Sequence, residues 1–517
     1  MSERIFDIEE RYSGYLQDES RLEGRAEKIA FPRTEDEAEA VLEYARRNHC
    51  PVTVQGGRTG IVGGAVPVCG IVLNMSGLNK IQGISKREGK YYLRLQSGVL
   101  LSDLQEQLET GRFDTAGWSE TSIEILGQMK REGRFQFPPD PTETTATLGG
   151  MLATNAEGIS GHYYGRTADY VEGITLLTAA GERWEIRRGE WIAKEEGLRL
   201  PNGRLLPAFS GEESGQYPLL IKPGQDLIDV IAGSEGMLGV VTSMEVRLER
   251  RPDEIWGVLF FFGEENAACR FLKRLQSAGG KASVTAGEFF DRAALDMVED
   301  MKGRMTKLKV IPDIPQERQA AVYVELIAQE EADAEEVLTE LLEAFDEMGG
   351  REEDTWAASG RDEMEKFRLL RHAVPEGINH CVDAIRRDFP KFCKMGTDFS
   401  LKEEIDVLLS LYRNEAKKDG IPCVIFGHGL DGHFHVNLLP DTAEAFERAE
   451  KLLEHWAERI AAKGGCLAAE NGIGKIKAGL IGRHLSEDAC KAMADVRAVL
   501  DEDGLLNRGN MMMRQGE

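Results

Sequence analysis

Residues 35–48, EDEAEAVLEYARRN, place Ala38, Val41, Leu42 and Ala45 on one side of a helical wheel. Thr34, followed three positions later by Glu37, predicts a capping box at the start of that helix. Short apolar runs at 51–55, 71–75 and 91–99 predict strands. Pro252, after a further strand-like stretch, predicts a domain boundary. Beyond it the runs 255–262 and 322–328 read as strands. Residues 333–348 read as a helix whose apolar stripe is Val337, Leu338, Leu341, Leu342, Phe345 and Met348. Residues 423–428 and 433–439 predict the two strands of a hairpin around GLDG, and 443–462 a strongly amphipathic helix. The charged stretches 188–204 and 350–362 read as surface excursions. Strands and helices mixed in this way predict an α+β protein.

A chain of 517 residues, 42% hydrophobic and 29% charged, has room for two to four domains with real cores. Its formal net charge of −26 disfavours nucleic acid and anionic membrane surfaces as partners. No apolar run reaches 18 residues, so no integral membrane segment is expected. Residues 1–15 are polar and lack the apolar core of a secretion signal. The eight cysteines are scattered without a CxxC pair, as reduced thiols in a cytoplasmic protein would be.

The chain holds 56 glycines, against about 36 for an average composition. They cluster in QGGRTGIVGGA (55–65), TLGGMLATNAEGISG (147–161) and GSEGMLGVV (233–241). A glycine loop directly after a strand is either a tight turn or an anion cradle built from backbone amides. The spacing is neither GxGxxG nor the phosphate loop of nucleotide hydrolases. A second concentration of chemistry is FGHGLDGHFHVNLLP (426–440). His433, His435 and Asn437 alternate along one strand and so share a face, and His428 closes the strand before it. Such imidazoles suit either a divalent metal or a satisfied core. Glu470, just before a glycine turn in GGCLAAENGIGKIKAG (464–479), can aim a carboxylate inward.

In order, QGGRTG, FPPDPTETTATLGGMLATNAEGISGHYYGRTADYV and DLIDVIAGSEGMLGVVTSMEVRL resemble the FAD-binding (PCMH-type) domain of the vanillyl-alcohol oxidase superfamily. The resemblance implies a two-subdomain FAD-binding domain and an antiparallel-sheet-and-helix cap for the substrate. The expected boundaries are 1–252, 253–475 and 476–517, the last segment returning to the FAD domain. It also implies cofactor contacts. Gln55, Gly56, Gly57, Arg58, Thr59 and Gly60 would wrap the pyrophosphate. Asp140, Pro141, Thr147 and Gly150 would line the flavin, with Thr154, Asn155 and Ala156 alongside. Glu235, Gly236, Leu238, Gly239 and Val241 would meet the adenosine half. Arg58 stands where the family has glycine, facing either the pyrophosphate or solvent. No histidine lies in this loop to tether the flavin, so non-covalent FAD is expected.

The histidine hairpin and ENGIGKIK resemble GHxGDGNLHxN and EHGIGxxK of the D-2-hydroxy-acid dehydrogenases, which act on D-lactate, glycolate and 2-hydroxyglutarate. By position, His428, His435 and Glu470 would hold a divalent metal (Zn, Mn or Fe). KFRLLRHAVPEGIN (366–379) would supply Arg371 to clamp the substrate carboxylate. KMGTDFSL (394–401) would place Lys394 near the substrate, supported by Asp398. Extra material near 110–135 and 184–222 lies outside the resemblance. Two positions depart from it: His433 replaces the family's Asn, and Asn471 replaces the histidine expected to act as general base.

The implied function is oxidation of a D-2-hydroxy acid by hydride transfer to FAD, with His433 or metal-assisted water taking the proton. Electrons would leave to an acceptor protein, a quinone or an iron–sulfur partner subunit. The protein would then be cytoplasmic, or peripheral to a membrane through that partner. Two alternatives stand beside this: a flavin transferase like alkylglycerone-phosphate synthase, and a flavin-bearing electron-transfer subunit of a larger complex.

Overall fold

The computed structural model describes residues 5–141, 143–213, 217–276, 282–401 and 405–512, with only the backbone of 361 and 362. The chain forms two compact units. The first comprises Met1–Gly158, Arg166–Arg251 and Glu470–Glu517, and the second Ile159–Gly165 and Pro252–Ala469. Among the described residues no helix is long and apolar enough to cross a membrane.

The first unit holds two main sheets. In the smaller, the strands run in the order Ile5–Asp7, Lys28–Ala30, Ile71–Asn74 and Val52–Gln55. The last three are parallel, and Glu35–Arg47 is the crossover helix that a parallel pair requires. Its four predicted apolar residues are all buried. Thr34 caps it through Glu37 N–H, and the Glu37 carboxylate reaches back to Arg33 N–H at 2.8 Å, one residue ahead of the cap. The C-terminal segment borders the same sheet, with Val52 N–H donating to Leu505 O at 2.8 Å. The second sheet is antiparallel, in the order Ile81–Arg87, Lys90–Gln96, Val240–Arg250, Val171–Leu177 and Arg183–Arg187. The stretch near 110–135 supplies helix Glu120–Glu132, docked on this sheet where Ser122 Oγ donates to Ile84 O at 2.9 Å.

The second unit is built on an eight-stranded antiparallel sheet. The order is Thr355–Ser359, Glu254–Phe262, Ala320–Ala328, Ser283–Asp291, Cys423–His428, His433–Leu438 and Met395–Gly396, with Phe399–Ser400 also pairing to His433–Leu438. Val258 to Phe262 are each at most 2% exposed, so that strand reads as a continuous apolar run instead of an alternating one. Phe260 and Phe262 pack on Phe271 and Phe345 of helices Glu265–Gln276 and Glu331–Glu347. Phe261 stacks edge-on against Trp356. The α+β class therefore holds.

Two expectations change. Part of the 350–362 stretch is the edge strand Thr355–Ser359, paired to Glu254–Phe262. An edge strand buries few residues, so its apolar signal is weak. Part of 188–204 belongs to the hairpin Gly197–Arg199/Leu205–Pro207, whose Leu198 and Leu206 are fully buried.

Candidate active site

In the first unit the glycine clusters meet one another. A Cβ on Gly56 would lie 2.1 Å from Thr147 Oγ1, and one on Gly57 would lie 2.5 Å from Thr145 O. The loop after strand Val52–Gln55 can therefore reach the 145–150 segment only without side chains at these positions. Thr147 caps helix Leu148–Thr154 by accepting from Gly150 N–H at 3.2 Å, and Asn155 ends that helix in the left-handed conformation. Asn155 Oδ1 accepts from Ala168 N–H, Ala156 O accepts from Thr167, and Thr154 Oγ1 donates back to Gly150 O. A Cβ on Gly60 would meet no atom of the described residues within 4 Å. Thr59 is half-buried.

Arg58 is half-buried. Its guanidinium lies over the Tyr15 ring at 4.2 Å from the centroid, on a backbone with φ of 61°. Asp140 is exposed, accepting from Gln105 Nε2 at 2.8 Å, and Pro141 beside it is half-buried.

Glu235 is a buried junction, with φ of 52°. Its N–H donates to Ala153 O, and its carboxylate accepts from Ile473 N–H and Gly474 N–H. Burial pushes this carboxyl up, against those two hydrogen bonds. Gly236 approaches Asn507, Gly239 approaches Leu176, Leu238 is fully buried in the core, and Val241 is half-buried.

Two buried polar atoms here, Gln55 Oε1 and Ser97 Oγ, have no hydrogen-bond partner among the described residues. Ser97 packs against Gly149, where a Cβ would lie 2.6 Å from its own. Unsatisfied buried polar atoms beside a side-chain-free backbone fit a ligand that brings donors and acceptors, as FAD does.

In the second unit the hairpin register pairs His428 with His433, Gly427 with Phe434 and Phe426 with His435. The ring centroids of His428, His433 and His435 are 4.7–5.6 Å apart. One nitrogen of each lies within 4.8 Å of one on each of the others. Gly427, with φ of +127°, is needed here because a Cβ would sit 2.9 Å from His435 Cδ2.

Two buried carboxylates stand behind this cluster. Glu288, the register partner of His428 on strand Ser283–Asp291, places Oε1 2.7 Å from His428 Nδ1. Its Oε2 lies 3.1 Å from Nε of Arg371, which projects from helix Arg361–Asp388. Burial alone would raise the Glu288 carboxyl, but Arg371 and His428 outweigh it and hold it far below the usual carboxylate range. Asp398 Oδ1 lies 2.9 Å from His433 Nε2, so this aspartate serves His433. Its segment is fixed by Thr397, whose Oγ1 donates to Phe434 O and accepts from Val436 N–H. Lys394 is half-buried, directly ahead of strand Met395–Gly396. Imidazoles backed by carboxylates are the donor set of a divalent metal site.

Glu470 and Asn471 are half-buried at the start of the last segment of the first unit. The residue before them, Ala469, donates its N–H to Asp398 O at 2.9 Å.

The sequence matches the family described as "FAD linked oxidases, C-terminal domain" over residues 251–511, half of the chain. The chain belongs to the FAD-linked oxidases. An "FAD binding domain" description also matches this oxidase, over residues 26–127 and 121–187. It is 24% identical to a D-lactate dehydrogenase of Anaerostipes hadrus, over 98% of this chain and 94% of that one. It is 25% identical to the glycolate oxidase subunit GlcD of Bacillus subtilis (strain 168), over 94% and 89% of the two chains. With a D-2-hydroxyglutarate dehydrogenase of Stutzerimonas stutzeri (strain A1501) the identity is 24%, over 93% and 90%. A solved alkyldihydroxyacetonephosphate synthase shares the fold, with a TM-score of 0.62 at 15% identity over 98% of this chain and 82% of that one.

Sequence reasoning missed two acids of this FAD-linked oxidase. Glu288 is one. The other is Glu325, which is half-buried and accepts from Thr285 Oγ1 at 3.1 Å, Tyr323 Oη at 3.2 Å and Ser160 Oγ at 3.3 Å. Burial pushes its carboxyl up. The available signal was one acid inside each of the apolar runs VTAGEFF and VYVELIA.

Proposed function

We propose that this FAD-linked oxidase converts a D-2-hydroxy acid to the 2-oxo acid. The carrying observation is the cluster of His428, His433 and His435, with Glu288 and Asp398 buried behind it and Arg371 joined to the same Glu288. His428, His435 and Glu470 would hold a divalent cation (Zn, Mn or Fe), and the glycine-lined loops of the first unit would hold non-covalent FAD. When bound, the cation polarises the substrate hydroxyl and the flavin accepts the hydride.

The chain's own residues supply orientation and the proton path. Arg371 anchors the substrate carboxylate with its planar guanidinium, and Lys394 adds a second positive charge. Asn471 carries no basic nitrogen, so it orients by hydrogen bonding and leaves the proton to another group. His433 is that group. Asp398 faces its Nε2, so Nδ1 is the ring atom that takes the hydroxyl proton. The 2-hydroxy-acid class follows the relatives of matching length, and the acceptor is an electron-transfer protein, a quinone or an iron–sulfur subunit. The reading places the enzyme in the cytoplasm.

The test is anaerobic titration of the purified yellow protein with D- and L-lactate, glycolate and D-2-hydroxyglutarate, with metal analysis alongside. Bleaching of the flavin by a D-acid, abolished by chelation with the flavin retained, is the expected outcome. No bleaching by any of them refutes the reading, and turnover of an acyl dihydroxyacetone phosphate instead would move the enzyme to the transferase class.

A further inference from the structure

Glu288 touches two functional groups at once. It sits 3% exposed in the middle of the eight-stranded sheet, on the strand that pairs with the histidine hairpin. One carboxylate oxygen faces His428 Nδ1 at 2.7 Å and the other faces Arg371 Nε at 3.1 Å. A carboxylate offers acceptor capacity on both oxygens, so it can satisfy both donors together. With Nδ1 turned to Glu288, Nε2 is the nitrogen of His428 that would bind an ion. Outer carboxylates of this kind fix the tautomer and ring orientation of a ligating histidine. The same charge fixes the plane of the Arg371 guanidinium.

We infer that Glu288 is a positioning residue that sets the cation ligand His428 and the carboxylate anchor Arg371 together. The inference rests on the function proposed above. No neutral side chain of this size does both jobs. A glutamine at 288 accepts with its carbonyl from one partner but turns its NH2 toward the other donor. An aspartate keeps the charge but is one methylene shorter, so it cannot span both contacts. Ordinary charge neutralisation would be met by either partner alone; only the joint role links metal affinity to substrate affinity.

The experiment uses the full-length, FAD-loaded protein after chelation. Zn2+ binding is measured by calorimetry. KM is measured after reloading with saturating Zn2+, for whichever of D-lactate, glycolate and D-2-hydroxyglutarate the wild type turns over best. Glu288→Gln is expected to weaken Zn2+ binding roughly 10- to 100-fold and to raise KM as well, with the flavin spectrum unchanged. If Glu288→Gln does not fold, Glu288→Asp carries the same two readouts and is expected to impair at least one of them, and never to restore both. A Glu288 variant that keeps wild-type Zn2+ affinity and wild-type KM, or that only lowers the melting temperature, overturns the inference. A wild type that binds no Zn2+, or turns over none of the three acids, overturns the parent reading instead.

Discussion

Replacing Asp398 by Asn tests the proton path most directly. The substitution keeps size and shape and removes one negative charge. The side chains of Asp398 and His433 are 3% and 2% exposed, so solvent screens their 2.9 Å contact very little. Removing a negative charge beside a buried imidazole disfavours the protonated ring, by a factor of ten for each ~1.4 kcal/mol of attraction lost. The amide can also turn its NH2 toward Nε2, which moves the imidazole proton to Nδ1, the atom proposed to accept the hydroxyl proton. A positioned base contributes roughly 100- to 10,000-fold in rate. The expected result is therefore a fall in kcat on the order of 100-fold or more, with flavin content and Zn2+ binding retained. The assay is steady-state dye reduction by the preferred hydroxy acid, with thermal melting measured in parallel. The backbone contact from Ala469 N–H to Asp398 O does not involve the side chain, so the local fold should survive. A kcat near that of the wild type in a folded, flavin-loaded Asp398→Asn protein would refute the role given to His433.

Gly427→Ala should cost on the order of 1–3 kcal/mol, because φ is +127° and the new Cβ would press on His435; urea denaturation and a lowered Zn2+ affinity are the checks, and an unchanged affinity would count against His435 as a ligand. Lys475 donates to Gly63 O and Asn510 Oδ1, and burial lowers its ammonium to about 8. The unfolded chain therefore holds one more proton than the native state between pH 8 and about 10.4, so wild-type stability should gain on Lys475→Met as pH rises through that window; a difference that stays flat in urea titrations at several pH values would contradict the burial. Cys269 is buried and its thiol is pushed up to about 12. It should resist iodoacetamide in the native protein at pH 8 and react after denaturation, as read by peptide mass spectrometry.

The glycine motifs were legible because close backbone approach is a property of one residue type: Gly56 and Gly57 have no substitute where Thr147 and Thr145 press on them. The histidine hairpin was legible for another local reason. Alternation along a strand puts His433 and His435 on one face, and a short turn brings His428 opposite His433. The amphipathic helix Glu331–Glu347 carried its own periodicity. Leu198 and Thr355–Ser359 were harder, since short or edge strands bury too few residues to leave a pattern.

Local sequence thus determined the kinds of chemistry present: a backbone cradle, three imidazoles and an arginine on a helix. Tertiary structure decided which acid serves which base. Asp398 is close in sequence to Lys394 yet faces His433, and Glu288 reaches His428 and Arg371 only because strand Ser283–Asp291 lies beside Cys423–His428 in the sheet. Periodicity reports which side of a strand a residue occupies, but it carries no record of the strand's neighbour. Charge pairing depends on separations of a few ångströms across that neighbour, so it is set by sheet order and register, which arise from the packing of the whole unit.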